Sequence, residues 1–375
     1  MPFPANTGVG PGGATFTPRW AIIPKTTAKT FQINKASVSS WAMIQELGPE
    51  LGCDIGPDSD ISGMWVEHSF TDPRYTDLGH FQGQDAPFIY ENKTDTGIPF
   101  QVPWSLNHKG WTQNYIQTEF DEKGYRRFND QKFQGDIRVI EFMLRMQYQF
   151  LGLPGTTLGQ GQYHPAERTW DTRGIIPVLT NTLPYYTINR ALYGGRLNSY
   201  NLTGPVAPNT TIAAGSLYDW IEFVRDQIGQ RGEYEPWLIL TNRASKTLFR
   251  SEMMNVHTGG TGTHFITAQQ TLDQPRFRWN EINYQVYDDN LLVVFDRHIP
   301  GNGPGAANNM LAFLNLQFYE RKWYPGMYWN EPYEVAGSEY NLFTTFYSIW
   351  AWYYQTLFNP QAHGLCTNIT MPAVL

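Results

Sequence analysis

Cysteine is nearly missing from this chain: Cys53 and Cys366 are the only two in 375 residues, too few for a disulfide framework and without metal-ligand spacing. Charge is scarce too. Asp, Glu, Lys and Arg make up 16% of the sequence, against roughly 25% in soluble proteins. The net charge of -7 argues against a nucleic-acid binder whose affinity comes from a basic face. The opening MPFPANTGVG has neither a charged start nor an apolar run, so no secretory signal is visible and a cytoplasmic origin is expected. The Asn-x-Thr sequons at Asn92, Asn201, Asn209 and Asn368 then carry no weight. No membrane span is expected either, because the best candidate, Leu342 to Phe358, is interrupted by Thr344, Thr345, Ser348 and Gln355.

Aromatic residues are abundant, at 15% of the chain with 13 Trp, 22 Tyr and 22 Phe. Interface cores are poor in Lys, Glu and Asp and rich in aromatics and Met, so this pairing suggests a surface that meets other subunits; a β-rich monomer with a large core is the alternative. The length calls for more than one packed unit. Up to Gln45 there is no Asp or Glu, while Arg19, Lys25, Lys29 and Lys35 stand among Pro, Gly and Thr. That segment reads as an extended arm, lying on another subunit or an acidic polymer, or else as a solvated tail.

Helical and strand periodicities divide the rest. Ser37 to Leu47 has an amphipathic helix pattern, closed by Gly48-Pro49. Short β-prone runs follow at Met64 to Phe70, Pro87 to Tyr90, Phe100 to Leu106, Trp111 to Phe120 and Tyr125 to Phe128, separated by turn clusters NKTDTG, NHKG and DEKG. Phe133 to Leu151 predicts a long helix with two apolar rows, one through Phe133, Ile137, Ile140, Leu144 and Leu151, the other through Val139, Met143, Met146 and Phe150. A helix apolar on two sides needs cover on two sides. After a Gly-rich loop, GIIPVLTN predicts a strand; Leu217 to Ile228 predicts a helix with Ser216 as its N-cap; Pro236 to Leu240, Leu291 to Phe295 and Met310 to Tyr319 predict strands. Between Gly337 and Pro360 there is neither Gly nor Pro, and the aromatic run reads as one unusually long strand.

Chemical motifs are weak. Gly301-Asn-Gly303-Pro-Gly305-Ala306 fits a dinucleotide fingerprint in spelling, but Pro304 lies inside it and no helix pattern follows, so a surface loop is expected. His257 and His264 lack a third metal ligand. Glu119, Asp121 and Glu122 beside Trp104 and Trp111 could make a glycosidase pair, but they fall on a turn pattern. No catalytic residue, cofactor or metal is expected.

The order of parts, an arm, a short helix, hairpins, a long helix ending FLGLPG, then GIIPVLTN, SLYDWIEFVRDQI, GEYEPWLILTN and the closing TTFYSIWAWYYQTLFNPQAHGL, resembles the major capsid protein of tailed bacteriophages. The resemblance implies an α+β, Hong Kong 97-like capsid fold. Residues 1–62 would be the N-terminal arm with its short helix, and 63–130 the extended loop with flanking strands. Residues 131–177 and 336–375 would form a peripheral domain with its spine helix at 133–151, and 178–335 mainly an axial domain.

It further implies a non-enzymatic subunit that self-assembles as hexamers and pentamers into an icosahedral shell. That shell encloses double-stranded DNA without sequence-specific binding and expands from a procapsid as DNA enters. A chain starting at Met1 leaves no room for a cleaved scaffolding segment, so a separate scaffolding protein is expected, with a portal and a decoration or cement protein. Assembly is expected in the bacterial host cytoplasm and residence in the virion. Candidate intersubunit contacts are Trp104, His108, Lys109, Trp111, Phe133, Ile137, Met143 and Phe150, with Lys109 at a hairpin tip; candidate arm contacts are Arg19, Lys25, Lys29 and Lys35. An encapsulin-type nanocompartment shell and a carbohydrate-binding or carbohydrate-active β-rich protein are the other readings.

Overall fold

A computed structural model describes residues 8–9, 15–16, 40–49, 52–58, 65–70, 98–114, 130–193, 195–203, 210–257, 281–286, 289–328, 333–335 and 344–374. The N-terminal strands β1 (Gly8–Val9) and β2 (Thr15–Phe16) pair with each other. Helix α1 (Ser40–Leu47) leads to β3 (Asp54–Pro57). An antiparallel ribbon of β4 (Trp65–Phe70) and β5 (Ile98–Pro103) precedes β6 (Ser105–Asn114) and the long helix α2 (Asp130–Leu151). A small hairpin, β7 (Tyr163–His164) with β8 (Thr169–Trp170), then joins α2 to α3 (Ile175–Leu179).

The second half runs β9 (Tyr200–Thr203), α4 (Leu217–Gly232), β10 (Leu238–Asn242), α5 (Lys246–His257), β11 (Glu281–Val286), β12 (Asp289–Asp296) and β13 (Asn309–Leu314). It closes with β14 (Tyr319–Tyr328), β15 (Tyr333–Val335), β16 (Thr344–Leu357) and β17 (Gly364–Ile369).

Two sheets share these strands. The six-stranded sheet has the order β11-β12-β10-β13-β17-β9. Its central strands LILTN, LLVVF and NMLAFL are continuously apolar or buried because both faces are covered. One face, with Ile239, Val293, Phe295, Leu311 and Phe313, packs with Leu217, Ile221, Val224 and Ile228 of α4 and Leu248 and Phe249 of α5. The other, with Leu240, Val294, Ala312 and Leu314, joins a core that includes Phe142, Met146, Phe150 and Leu151 of α2.

In the five-stranded sheet β16 is central. It pairs antiparallel with β6 on one side and with β14 and β15 on the other, and β14 pairs in parallel with β3. The chain changes sheets twice near its end. Thus β14, inside the 178–335 segment, belongs with β16, and β17, inside the 336–375 segment, belongs with β13.

Several local expectations are corrected. GIIPVLTN forms helix α3 instead of a strand: Gly174 is extended before it, and Pro177 lies in a first turn that needs no proline N–H. Met310 to Tyr319 is not one strand, because the Asn315 side chain accepts from Gln317 N and turns the chain through a 3-10 helix, Leu316–Phe318. The NHKG cluster, with Lys109, lies in mid-strand and not at a hairpin tip, since β16 offers β6 an unbroken partner: His108, Lys109 and Gly110 face Trp350, Ile349 and Ser348. Ser216 does not cap α4 through its side chain; its hydroxyl donates to Ala213 O. Gly301 to Ala306 is a loop, as expected, and a Cβ on Gly301 would fall 2.1 Å from Asn242 Nδ2. The runs Pro87 to Tyr90 and Tyr125 to Phe128, and Glu119, Asp121, Glu122 and His264, lie outside the described residues.

Helix α2 ends where glycine is required. Gly152 has φ +64°, and a Cβ there would sit 2.5 Å from Gly159 O, while one on Gly174 would sit 2.5 Å from Gly152 N. Three chain segments therefore touch backbone to backbone.

Between β16 and β17 stands His363, which is fully buried. Its Nδ1 accepts from Asn315 N at 3.1 Å, so Nε2, 3.0 Å from Phe358 O, carries the proton. Burial pushes the imidazole down to about 4, with the hydrogen bond to Phe358 opposing. A base depressed in the folded state stabilises above its unfolded pKa and loses that stability as pH falls toward the folded one. Urea denaturation should show wild type losing about 2 kcal/mol of its advantage over His363→Gln between about pH 7.5 and pH 5. A constant difference over that range would contradict the neutral buried histidine.

Candidate assembly surface

Helix α2 carries two buried glutamines, Gln147 and Gln149. Burial obliges both amides to find partners. Gln149 Nε2 donates to Ser105 Oγ at 2.6 Å and to Asp171 Oδ1, and its Oε1 accepts from Asn107 Nδ2 at 2.6 Å and Tyr353 OH at 2.7 Å. Asn107 Oδ1 in turn accepts from Arg145 Nε at 2.9 Å, and Arg145 pairs with Glu167. Burial drives the Asp171 carboxyl up to about 6, opposed by the hydrogen bonds from Gln149 and Gln160 N. This network fixes α2 against β6, β8 and β16.

Strand alternation gives the five-stranded sheet two faces. Tyr353 and Asn107 look toward α2, as does Lys109, whose Nζ lies 2.8 Å from Glu141 Oε2 on the helix. On the opposite face stand Trp350, Trp352 and Tyr354 of β16, Leu106 and His108 of β6, and Glu320 and Tyr324 of β14. The β4–β5 ribbon covers half of it. There His68 sits among Phe100, Tyr354 and Phe358 at ring distances of 5.3, 5.8 and 5.1 Å. Tyr354 OH donates to Glu320 Oε1 at 2.9 Å, and His68 Nε2 stands 3.7 Å from Glu320 Oε2. Burial raises the Glu320 carboxyl and lowers the His68 imidazole.

The other half is open. Leu106 and Tyr324 are each 36% exposed, Trp350 and Trp352 are half-buried, and His108 is exposed. Tyr324 and Trp352 lie 5.3 Å apart, and His108 meets Trp350 edge-on at 5.7 Å. Covering the remaining surface of such side chains stabilises by roughly 25 cal/mol per Å².

The residues singled out from sequence divide accordingly. His108 lies on the open half, while Trp111 is half-buried against the core and Lys109 is held by Glu141. Ile137 and Met143 are half-buried on α2. Two candidates are corrected: Trp104, 2% exposed, is packed inside the subunit against Trp352 and Tyr354, and Phe150, fully buried, meets Tyr319 and the Arg321 guanidinium. They have no surface to offer another chain. The Phe133 side chain and Arg19, Lys25, Lys29 and Lys35 lie outside the described residues. Leu106, Tyr324, Trp350 and Trp352 went unnoticed in sequence, although the alternation of β16 with its neighbours groups them. Among the described residues no set of three His, Cys, Asp or Glu side chains is placed to hold a metal ion, and no helix is long and apolar enough to cross a membrane.

No protein-family model matches the sequence, and no curated protein matches it. Solved structures do match the fold. A chain of the cyanophage A-1(L) capsid asymmetric unit aligns with a TM-score of 0.59 at 11% identity, covering 95% of this chain and 99% of that one. The capsid of a native GTA particle aligns at 0.53 and 12% identity over 93% and 96%. A Mycobacterium phage Ogopogo chain aligns at 0.51 and 10% identity over 94% and 99%. The chain thus has the mixed helix-and-sheet fold of these capsid chains.

Replacing Gln149 by Leu would remove four buried hydrogen bonds at once, those with Asn107 Nδ2, Ser105 Oγ, Asp171 Oδ1 and Tyr353 OH. Despite the gain in apolarity, Gln149→Leu should lower unfolding free energy by about 3 kcal/mol or more in chemical denaturation. A neutral or stabilising result would show that the network is dispensable.

Proposed function

We propose that this chain is the major capsid protein of a tailed bacteriophage, assembling as hexamers and pentamers into an icosahedral head shell that encloses double-stranded DNA. The open aromatic half of the five-stranded sheet carries the reading together with the fold. A contiguous row of half-exposed Trp, Tyr and Leu is a surface made to be covered. In a shell every copy meets neighbours on several sides, and that is where a charge-poor, aromatic-rich chain gains stability.

In this reading α2 is the spine helix of a peripheral domain completed by β6, β14 and β16, and the six-stranded sheet with α4 and α5 is the axial domain. Residues 63–130 supply the extended loop with its flanking strands, and residues 1–62 the arm with its short helix, with Arg19, Lys25, Lys29 and Lys35 as its contacts. Intersubunit contacts include His108, Trp111, Ile137 and Met143, joined by Leu106, Tyr324, Trp350 and Trp352. A separate scaffolding protein, a portal and a decoration or cement protein complete the head, which forms in the host cytoplasm and holds DNA without reading its sequence. The net charge of -7 suits an inner wall that does not grip its polyanion.

Electron microscopy of the purified chain, alone and with a scaffolding partner, should show capsomers or shells, and shells from infected cells should contain double-stranded DNA. Shells filled with protein instead of DNA would favour a nanocompartment. Leu106→Glu with Tyr324→Glu should leave circular dichroism and thermal unfolding within about 4 °C of wild type yet abolish shells. Normal shells from that variant would remove the open face from the assembly contacts.

A further inference from the structure

One carboxylate joins three distant parts of the subunit. Asp296, at the end of β12 and 1% exposed, stands at the N-terminus of α1. Its Oδ2 accepts from Ser40 N at 3.0 Å, Ser40 Oγ at 2.6 Å and Gln147 Nε2 at 2.6 Å. Its Oδ1 lies 2.8 Å from His298 N and 2.9 Å from His298 Nδ1. Gln147 completes the ring: its Oε1 accepts from Trp41 N at 2.8 Å, and its Nε2 also donates to Ser40 Oγ at 3.0 Å. Two helix N–H groups that no residue within α1 can satisfy are thus taken up by side chains from far away in sequence. A negative charge at that position also meets the positive end of the helix. Burial opposes its ionisation, but hydrogen bonds from His298 and Ser40 outweigh that and hold its pKa below the ordinary carboxylate range.

The flank of α1 is pinned as well. Buried Arg321 of β14 places Nη1 2.9 Å from Gln45 Oε1, and its guanidinium lies 5.5 Å from the Trp41 ring. The helix is therefore held at its first residue by the six-stranded sheet and the long helix, and along its side by the five-stranded sheet. Ser40 is the first residue of α1, so this joint fixes where that helix begins.

We infer that Asp296 is the positioning residue of the N-terminal segment: its carboxylate clasps the start of α1 so that the basic segment before it leaves each subunit at one fixed place and reaches a neighbouring copy. This role rests on the capsid reading; the clasp itself does not. Asp296→Asn keeps the shape but turns an amide hydrogen toward donors, and Ser40→Ala, the milder variant, removes one hydroxyl.

Hydrogen exchange on the full-length subunit, unassembled, is expected to speed by about tenfold or more at residues 40–47 in both variants, with the amides of α4 and β13 unchanged. Trypsin is expected to cut at Arg19, Lys25, Lys29 and Lys35 faster, and the folded variants to give fewer closed shells than wild type with the same scaffolding protein. Unchanged exchange at 40–47 in both variants would overturn the clasp. Faster exchange with wild-type shell yield would overturn its positioning role. A wild-type chain that never forms capsomers would instead break the capsid reading and with it that role, while the exchange result would still decide the clasp.

Discussion

A buried amide must be hydrogen-bonded, and the long helix buries two of them on different sides. Gln147 is tied to Asp296, Ser40 and Trp41 N, and Gln149 to Ser105, Asn107, Asp171 and Tyr353. Apolar side chains tolerate small rotations of a helix about its axis; these two networks do not, because a turn of a few tens of degrees would strand several buried groups at once. The rest of the subunit is arranged around that fixed orientation. Toward Gln147 lie α1 and the six-stranded sheet; toward Gln149 lie β6, β8 and β16.

The interleaving of the two sheets follows from the same demand for cooperativity. After β13 the chain leaves the six-stranded sheet through the turn at Asn315 to make β14, and after β16 it returns through Pro360–Ala362 to make β17. The six-stranded sheet gains β17 only after the chain has passed through β14, β15 and β16 of the five-stranded one. Removing either leaves unpaired edges and exposed apolar faces, so load on one is transmitted to the other through backbone. His363 marks the return point, its ring bridging Asn315 N and Phe358 O.

Periodicity made much of this legible. The long helix, the α4 stripe, the apolar central strands and the aromatic β16 all announce themselves, because a single period persists over many residues. The failures are local and share a cause. GIIPVLTN and NHKG depart from their local patterns because their tertiary surroundings outweigh propensity: a tight glycine junction allows one to coil, and a long template strand makes the other extend. Trp104 and Phe150 have the composition of interface residues, and no sequence signal shows that Trp352 and Tyr354 cover the one and Tyr319 and Arg321 the other. The polar joints were illegible for a deeper reason. Gln147 seemed an interruption of an apolar row, and only the fold brings Asp296 and Asp171 to meet such interruptions.

The two apolar rows of the long helix are resolved along its length more than around it. From Phe142 to Leu151 the helix is a core element, with Phe142, Met146, Gln147, Gln149, Phe150 and Leu151 buried by its own chain. Nearer its start Ile137, Val139 and Ile140 are only half-buried. One end is therefore locked by polar networks that tolerate no rotation, while the other presents apolar surface whose cover is incomplete within one copy. A rod locked at one end by polar networks and only partly covered nearer its start can hold the shape of its chain while the contacts of the less covered side chains are exchanged.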